Sequence, residues 1–227
     1  MIYTFWEGRM PDYIKLCLET WKVPFTVLNY DSLQKYTDID TERIKRFTLP
    51  QQADAVRVHV LRDNGGVWLD ADTIMVTGQL PKGEMIGDPI KRTNTIGYLR
   101  AEKDAEMYKA WAEYQDNIIT GRNTPTNWDI MGNAFTDPWV KMHNVTIENV
   151  RKRWPETYMI QGNQSRPEKY KEFYFNSFYM LSEIEATDIL MLHNSWTPGW
   201  YREMSREKVL GSDFTLSNIL RETILLS

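Results

Sequence analysis

The sequence holds one cysteine, Cys17, among its 227 residues. An internal disulfide framework is therefore excluded, and a reducing compartment is the expected setting. Glycine and proline, 12 and 10 in number, are too scarce for a collagenous or low-complexity chain. No apolar run approaches the roughly 20 residues that a membrane-spanning helix needs. The opening MIYTFWEGRMPD lacks the basic start and apolar middle of a secretory signal, so a cytoplasmic protein is expected. A basic excess is missing as well: 27 basic residues face 31 acidic ones, for a net charge of -4. That balance argues against a nucleic-acid partner. Aromatics, by contrast, are abundant at 13%, with nine Trp and twelve Tyr.

The hydrophobic pattern alternates short strands with helices. Residues 2–6 form an aromatic and β-branched run suited to a buried strand. Pro11-Asp12 opens a helix whose apolar residues include Ile14, Leu16, Leu18 and Trp21, and residues 24–29 read as a second strand. This strand-helix-strand order predicts a βαβ unit and a mostly parallel sheet. Residues 40–46 suit a short polar helix. A longer helix starts at Pro50, where proline fits the first turn, and is closed by Asn64-Gly65-Gly66. Residues 67–69 and 74–76 are apolar strands on either side of Asp70-Ala71-Asp72. Further on, strands are expected at Ile86, 95–98, 158–160 and 189–192, and helices over 102–117 and 138–153. Ser212-Asp213 can cap a final amphipathic helix.

Asp70 and Asp72 stand out by position. An Asp-x-Asp triplet arises by chance in a chain with 15 Asp, and a second one, Asp38-Ile39-Asp40, lies in polar sequence. That second triplet reads as a solvated loop and serves as an internal control. The first ends an apolar strand, and open α/β sheets bind ligands beyond the carboxyl ends of their strands. Two carboxylates there repel unless a cation or a proton lies between them. A divalent ion held by one carboxylate and by ligand phosphates suits the arrangement, while a turn with two exposed aspartates is the plain alternative. Asp54 and Arg57, three apart, share one face of the preceding helix. Taken alone they form an ordinary surface ion pair.

The string Gln52-Ala53-Asp54-Ala55-Val56-Arg57, then Leu61, then Gly65-Gly66-Val67-Trp68-Leu69-Asp70-Ala71-Asp72, resembles the DXD-containing sugar-transfer glycosyltransferases. These include bacterial capsular polysaccharide enzymes, yeast-type mannosyltransferases and, more distantly, the clostridial glucosylating toxins. The family pattern reads roughly A-S-D-x-x-R-x-x-x-L-x-x-x-G-G-x-Y-x-D-x-D. This chain departs from it at Gln52-Ala53 and carries Trp68 where Tyr is common. Ile2-Tyr3-Thr4-Phe5-Trp6 resembles the family's opening strand, and Cys17-Leu18-Glu19-Thr20-Trp21 its C-x-x-S-W segment. His193-Asn194-Ser195-Trp196 resembles a shortened closing motif. Residues 80 to 185 match loosely.

The resemblance implies a GT-A fold, a single α/β domain over 1–227 with a mostly parallel central sheet. Its nucleotide-sugar half would span 1–78, its acceptor half 79–188, and a closing segment with a helix 189–227. It makes Asp72 a ligand of Mn²⁺ or Mg²⁺ and Asp70 a partner of the ribose or donor sugar. Asp54 and Arg57 would reach the sugar and its phosphate. Phe5 and Trp6 would shape a base pocket, with core packing as the alternative. His193 would be a further metal ligand, or else a histidine capping a buried strand. Ser195 and Trp196 would close over the diphosphate by their hydroxyl and indole donors. In Asn127-Trp128-Asp129-Ile130-Met131-Gly132-Asn133, Trp128 or Asp129 would face an acceptor sugar, unless Asn127 simply caps a helix.

The implied activity is retaining transfer of a hexose from a nucleotide sugar, most simply UDP-linked, to a carbohydrate or lipid-linked oligosaccharide acceptor. The C-terminal helix then has two uses, packing in the core or peripheral contact with the inner membrane face. Two rivals remain. Leu69-Asp70-Ala71-Asp72-Thr73 also fits the first motif of haloacid-dehalogenase-type phosphatases, with Asp70 as nucleophile. That motif normally lies near the N-terminus, and no paired acidic strand end follows here. A non-catalytic carbohydrate-binding protein would use the aromatics but leave Asp70, Asp72 and Arg57 unexplained.

Overall fold

The computed structural model describes residues 1–88, 93–148, 160–161, 164–165, 167–183 and 188–226. In chain order the first elements are β1 (Ile2–Phe5), α1 (Asp12–Glu19), β2 (Phe25–Leu28), α2 (Tyr30–Leu33), α3 (Thr41–Ile44), α4 (Leu49–Asn64) and β3 (Gly66–Leu69). There follow β4 (Thr73–Met75), β5 (Met85–Asp88), β6 (Thr93–Ala101), α5 (Glu106–Thr120), α6 (Asn133–Met142), β7 (Ile147–Glu148), β8 (Ile160–Gln161) and β9 (Gln164–Ser165). The chain closes with α7 (Pro167–Phe175), β10 (Ile189–Met191), α8 (Gly199–Arg202), α9 (Arg206–Gly211) and α10 (Thr215–Leu226).

These elements fall into two compact units that the chain enters by turns. The first draws on residues 1–7, 25–70 and 82–149, the second on 8–24, 71–81 and 150–227.

The first unit is built on a sheet of order β2-β1-β3-β6-β5-β7. β1 is parallel to both β2 and β3, in register Ile2↔Phe25 and Tyr3↔Trp68. β6 runs antiparallel to β3 and β5, and β7 is parallel to β5. All strands but β6 therefore share one direction, the mostly parallel α/β sheet expected. Because β1 and β3 are parallel and aligned, Phe5-Trp6 and Asp70 leave the sheet at the same edge. The core beneath gathers Phe5, Leu28, Val56, Val60, Leu61, Trp68, Leu99 and Trp111.

Helix α4 decides what reaches that edge. Thr48 and Gln51 close a capping box at its start, with Pro50 in its first turn. Gly65 and Gly66 end it with φ of +66° and +98°. A Cβ on Gly65 would lie 2.5 Å from Lys103 N, and one on Gly66 2.6 Å from Met1 O. Only glycine accepts that turn, which delivers the chain directly into β3.

In the second unit β10 pairs antiparallel with β4, in register Leu190↔Ile74, and β8 pairs with β9. Helix α1 packs on β4, α9 and α10. The indole N–H of Trp21 donates to Thr73 O at 2.8 Å, and Met75 N donates to Thr20 Oγ1 at 2.8 Å.

Three expectations need correction. The helix predicted over 138–153 begins earlier, at Asn133, and ends at Met142, with Pro138 inside it. Asn127 does not cap it: residues 128–132 form a turn closed by Asp129 O, which accepts from Gly132 N at 2.9 Å. The helix predicted over 102–117 starts later, at Glu106. Of the strand expected at 158–160, residues 158 and 159 lie outside the described residues. Among the described residues no helix is long and apolar enough to cross a membrane.

Candidate functional site

The first unit collects two predicted carboxylates, those of Asp54 and Asp70, around the Arg57 guanidinium. Arg57 Nη2 lies 2.9 Å from Asp54 Oδ1 and 3.2 Å from Asp70 Oδ1. Its Nη1 donates to Ile96 O, and its Cζ sits 5.3 Å from the centroid of the Trp68 ring. Asp54 and Arg57 are 6% and 4% exposed, so this is a buried pair rather than the surface ion pair that its spacing also allowed. The guanidinium is committed to protein on both branches, and its planar fork is what lets it serve two carboxylates and a carbonyl together.

Asp70 is held through one oxygen. Its Oδ1 accepts from the Trp68 indole N–H at 2.8 Å as well as from Arg57, and its main-chain N–H donates to Gly97 O at 2.9 Å. Its side chain keeps 31% exposure, and Oδ2 has no hydrogen bond among the described residues. Trp68 thus donates from its ring edge to the first aspartate of the triplet.

Burial pushes the Asp54 carboxyl up to about 6, against the pull of Arg57 and with help from the charges of Asp70 and Asp129. The loop over Asp54 is pinned from two helices. Gln115 Nε2 donates to Asp54 O at 3.1 Å and to Met131 O at 2.6 Å, Trp111 Nε1 donates to Met131 O at 2.9 Å, and Gln51 Nε2 donates to Asn127 O at 3.0 Å. Gly132 approaches so closely that a Cβ there would stand 3.2 Å from Asp54 Oδ2. Trp128, on the same loop, is 73% exposed, and Asp129 keeps a buried Oδ1 with no hydrogen-bond partner among the described residues. Sequence reasoning missed Gln115 and Gly132, since neither residue type signals chemistry by itself.

Phe5 is buried and meets Tyr30 edge-on at 5.5 Å, which places it in the core. Trp6 is partly buried, and its indole N–H is buried without an acceptor among the described residues.

In the second unit Asp72 is bound twice by the turn after β10. Leu192 N donates to Asp72 O at 2.9 Å, and Asn194 N donates to Asp72 Oδ2 at 2.8 Å. The side-chain carbonyl of Asn194 in turn accepts from Tyr13 Oη. His193 stacks on Trp196 at 4.0 Å between centroids and lies edge-on to Tyr170 at 5.8 Å. Ser195 is exposed and Trp196 partly buried. Among the described residues no three His, Cys, Asp or Glu side chains gather into a metal cage. The donor set at Asp72 fits a hard divalent ion that takes one or two protein groups and fills its shell with phosphate oxygens and water.

The control triplet behaves otherwise. Asp40 caps α3 by accepting from Arg43 N at 3.1 Å, and Asp38, 88% exposed, pairs with Arg62 at 2.6 Å. Both line a cavity of about 280 Å³ with Arg43, Arg62, His59 and Asp116. His59 is about 200° around α4 from Arg57 at 100° per residue, so this cavity belongs to the opposite face. Its charged groups are paired with one another.

A solved structure described as PaToxG glycosyltransferase is similar, at 19% identity and a TM-score of 0.42, over 62% of this chain and 67% of that one. No curated protein matches the sequence. The family model described as capsular polysaccharide synthesis protein matches residues 1–148, which hold β1, α4, the Asp54–Arg57–Asp70 cluster and Asp72. The chain belongs to the capsular polysaccharide synthesis protein family.

Proposed function

We propose that the protein is a GT-A-type hexosyltransferase that moves a sugar from a nucleotide diphosphate, UDP most simply, to an acceptor hydroxyl during surface-polysaccharide assembly. The observation that carries this reading is the buried Asp54–Arg57–Asp70 cluster at the carboxyl edge of β3. It is a rigid carboxylate array with one oxygen, Asp70 Oδ2, left for a ligand hydroxyl.

Each residue then has a role its surroundings support. Asp70 accepts from a donor hydroxyl while Arg57 and Trp68 fix its orientation. Arg57 also places a permanent positive charge beside the donor, which favours charge developing on the leaving group. Asp54 holds Arg57 in place and, through Gly132, touches the loop bearing Trp128 and Asp129. The exposed Trp128 ring offers a stacking face to an acceptor sugar, and Asp129 a carboxylate to its hydroxyls. Trp6 meets the base with its unsatisfied N–H.

Asp72 would hold Mn²⁺ or Mg²⁺, with His193 as a second donor, and Ser195 and Trp196 would donate to the diphosphate. When bound, the ion supplies Lewis-acid stabilisation of the departing diphosphate. Asp54 and Asp70 share Arg57, and neither stands as an unencumbered nucleophile. That supports front-face attack with retention over a covalent glycosyl-enzyme. A lipid-linked oligosaccharide is the acceptor we infer, which would bring the enzyme to the inner membrane face.

A panel of nucleotide sugars with Mn²⁺, scored for slow donor hydrolysis, tests the reading. One donor is expected to turn over, and Asp72→Ala is expected to abolish that turnover. If no nucleotide sugar is bound or hydrolysed, the reading fails. Phosphate release from a simple phosphoester, lost in Asp70→Asn, would identify a phosphatase instead.

A further inference from the structure

We infer that Tyr13 of α1 is a positioning residue for the metal-side carboxylate, acting through Asn194. The inference rests on the reading that Asp72 holds the divalent ion, and adds a residue from a helix to which that reading gives no role.

The chain of contacts has two links. Tyr13 is completely buried, and its hydroxyl donates to Asn194 Oδ1. The main-chain N–H of Asn194 donates to Asp72 Oδ2 at 2.8 Å. The side chain of Asn194 is thus tied to α1 while its backbone holds the carboxylate. Burial, with the charge of Asp72 adding to it, drives the Tyr13 hydroxyl well above its ordinary range, so it stays a donor at every working pH.

The two residues that follow this helix grip the strand after Asp72. Trp21 donates to Thr73 O and Thr20 accepts from Met75 N, both at 2.8 Å. On the other side of the turn, Tyr170 Oη contacts Thr197 Oγ1 at 3.0 Å, and Thr197 N donates to His193 O at 3.0 Å. Contacts thus hold both the strand after Asp72 and the turn after β10. Tyr13 is the side chain that reaches the residue whose N–H meets the carboxylate.

Groups that orient a ligand from behind it characteristically alter metal affinity rather than fold stability. Tyr13→Phe keeps the ring, including its edge contact with Tyr201 at 5.8 Å, and deletes only the hydroxyl, which meets Asn194 and Thr197. The full-length protein would be titrated with Mn²⁺ in the presence of UDP, reading bound Mn²⁺ by electron paramagnetic resonance. Tyr13→Phe is expected to weaken Mn²⁺ binding by about tenfold, the lower end for such orienting groups, with near-ultraviolet circular dichroism unchanged. In Asn194→Ala the same Tyr13→Phe change is expected to add nothing to the loss of Mn²⁺ affinity, because the side chain that links Tyr13 to the Asp72 carboxylate is gone.

Unchanged Mn²⁺ affinity in Tyr13→Phe, or fully additive losses in the double variant, overturns the inference while leaving Asp72 as the metal ligand. A wild-type protein that binds no Mn²⁺ with UDP overturns the reading beneath it and the inference together.

Discussion

Asp54 and Arg57 meet at 2.9 Å one helical turn apart, each more than nine-tenths buried. A pair at this depth is a constraint on everything around it, because neither charge can be left alone without a large desolvation cost.

The first consequence is a pH dependence. Asp54 has an ordinary value of 3.8 and is pushed up to about 6 in the fold, by burial first. The folded state therefore binds this proton more tightly than the unfolded chain does. The contribution of Asp54 to stability is complete below 3.8, declines as pH rises, and is lost once pH passes about 6. Urea unfolding of the wild type and of Asp54→Asn between these limits checks this. The decline belongs to the wild type, and the difference between the two proteins is expected to change with pH across that window.

Removing the fork tests the other partner. Arg57→Lys keeps the charge but cannot reach Asp54, Asp70 and Ile96 O together. The expected loss is about 3 kcal/mol, the lower range for breaking a buried ion pair, read from the urea midpoint at constant m-value. A neutral outcome would mean that an ammonium satisfies the site.

Gly132 is a second point of close approach. Its added Cβ would meet Ile96 Cδ1 at 2.5 Å and Asp54 Oδ2 at 3.2 Å. Gly132→Ala is expected to cost about 1–3 kcal/mol through overpacking, and to lower donor turnover by displacing Asp54. Gly211, at the end of α9, has nothing within 4 Å of its added Cβ. Gly211→Ala is expected to be neutral or to stabilise by up to about 1 kcal/mol. Thermal melts of both variants give the comparison.

The two acidic triplets make a matched pair of tests. Asp38→Asn removes an exposed partner of Arg62 and is expected to shift stability by less than about 1 kcal/mol, with turnover unchanged. Asp70→Asn leaves the fold intact and is expected to lower transfer about a hundredfold, the scale for losing one stabilising contact at a reacting centre. Equal effects of the two substitutions on turnover would remove the distinction drawn between the triplets.

Much of this was legible because local signals agreed. The apolar run of β1, the proline and double glycine bounding α4, and the apolar residues of β3 each announce themselves within a few positions. The spacing of Asp54, Arg57 and Asp70 announces a face and a strand end. Partnership across distance was not legible. Nothing in Ile189-Leu190-Met191 says that it pairs antiparallel with β4 outside the central sheet, since an apolar run names no neighbour. The burial of Arg57 was equally hidden, because an i,i+3 pair looks the same on a surface. Tyr13 carries no signal of its own in the sequence, and its hydroxyl gained meaning only when Asn194, 181 residues away, came beside it. Pro138 looked like a helix start and proved to be interior.

Helix α4 is buried on almost every side, from Gln51 and Gln52 through Asp54 to Leu61. Amide protons in such a segment exchange with solvent only when the surrounding unit opens as a whole. Local fraying therefore gives no route by which Asp54 and Arg57 drift apart between turnovers. Deuterium uptake along the chain would reach this helix last, and the slowest-labelling stretch of the first unit would also be the one that carries its charged cluster.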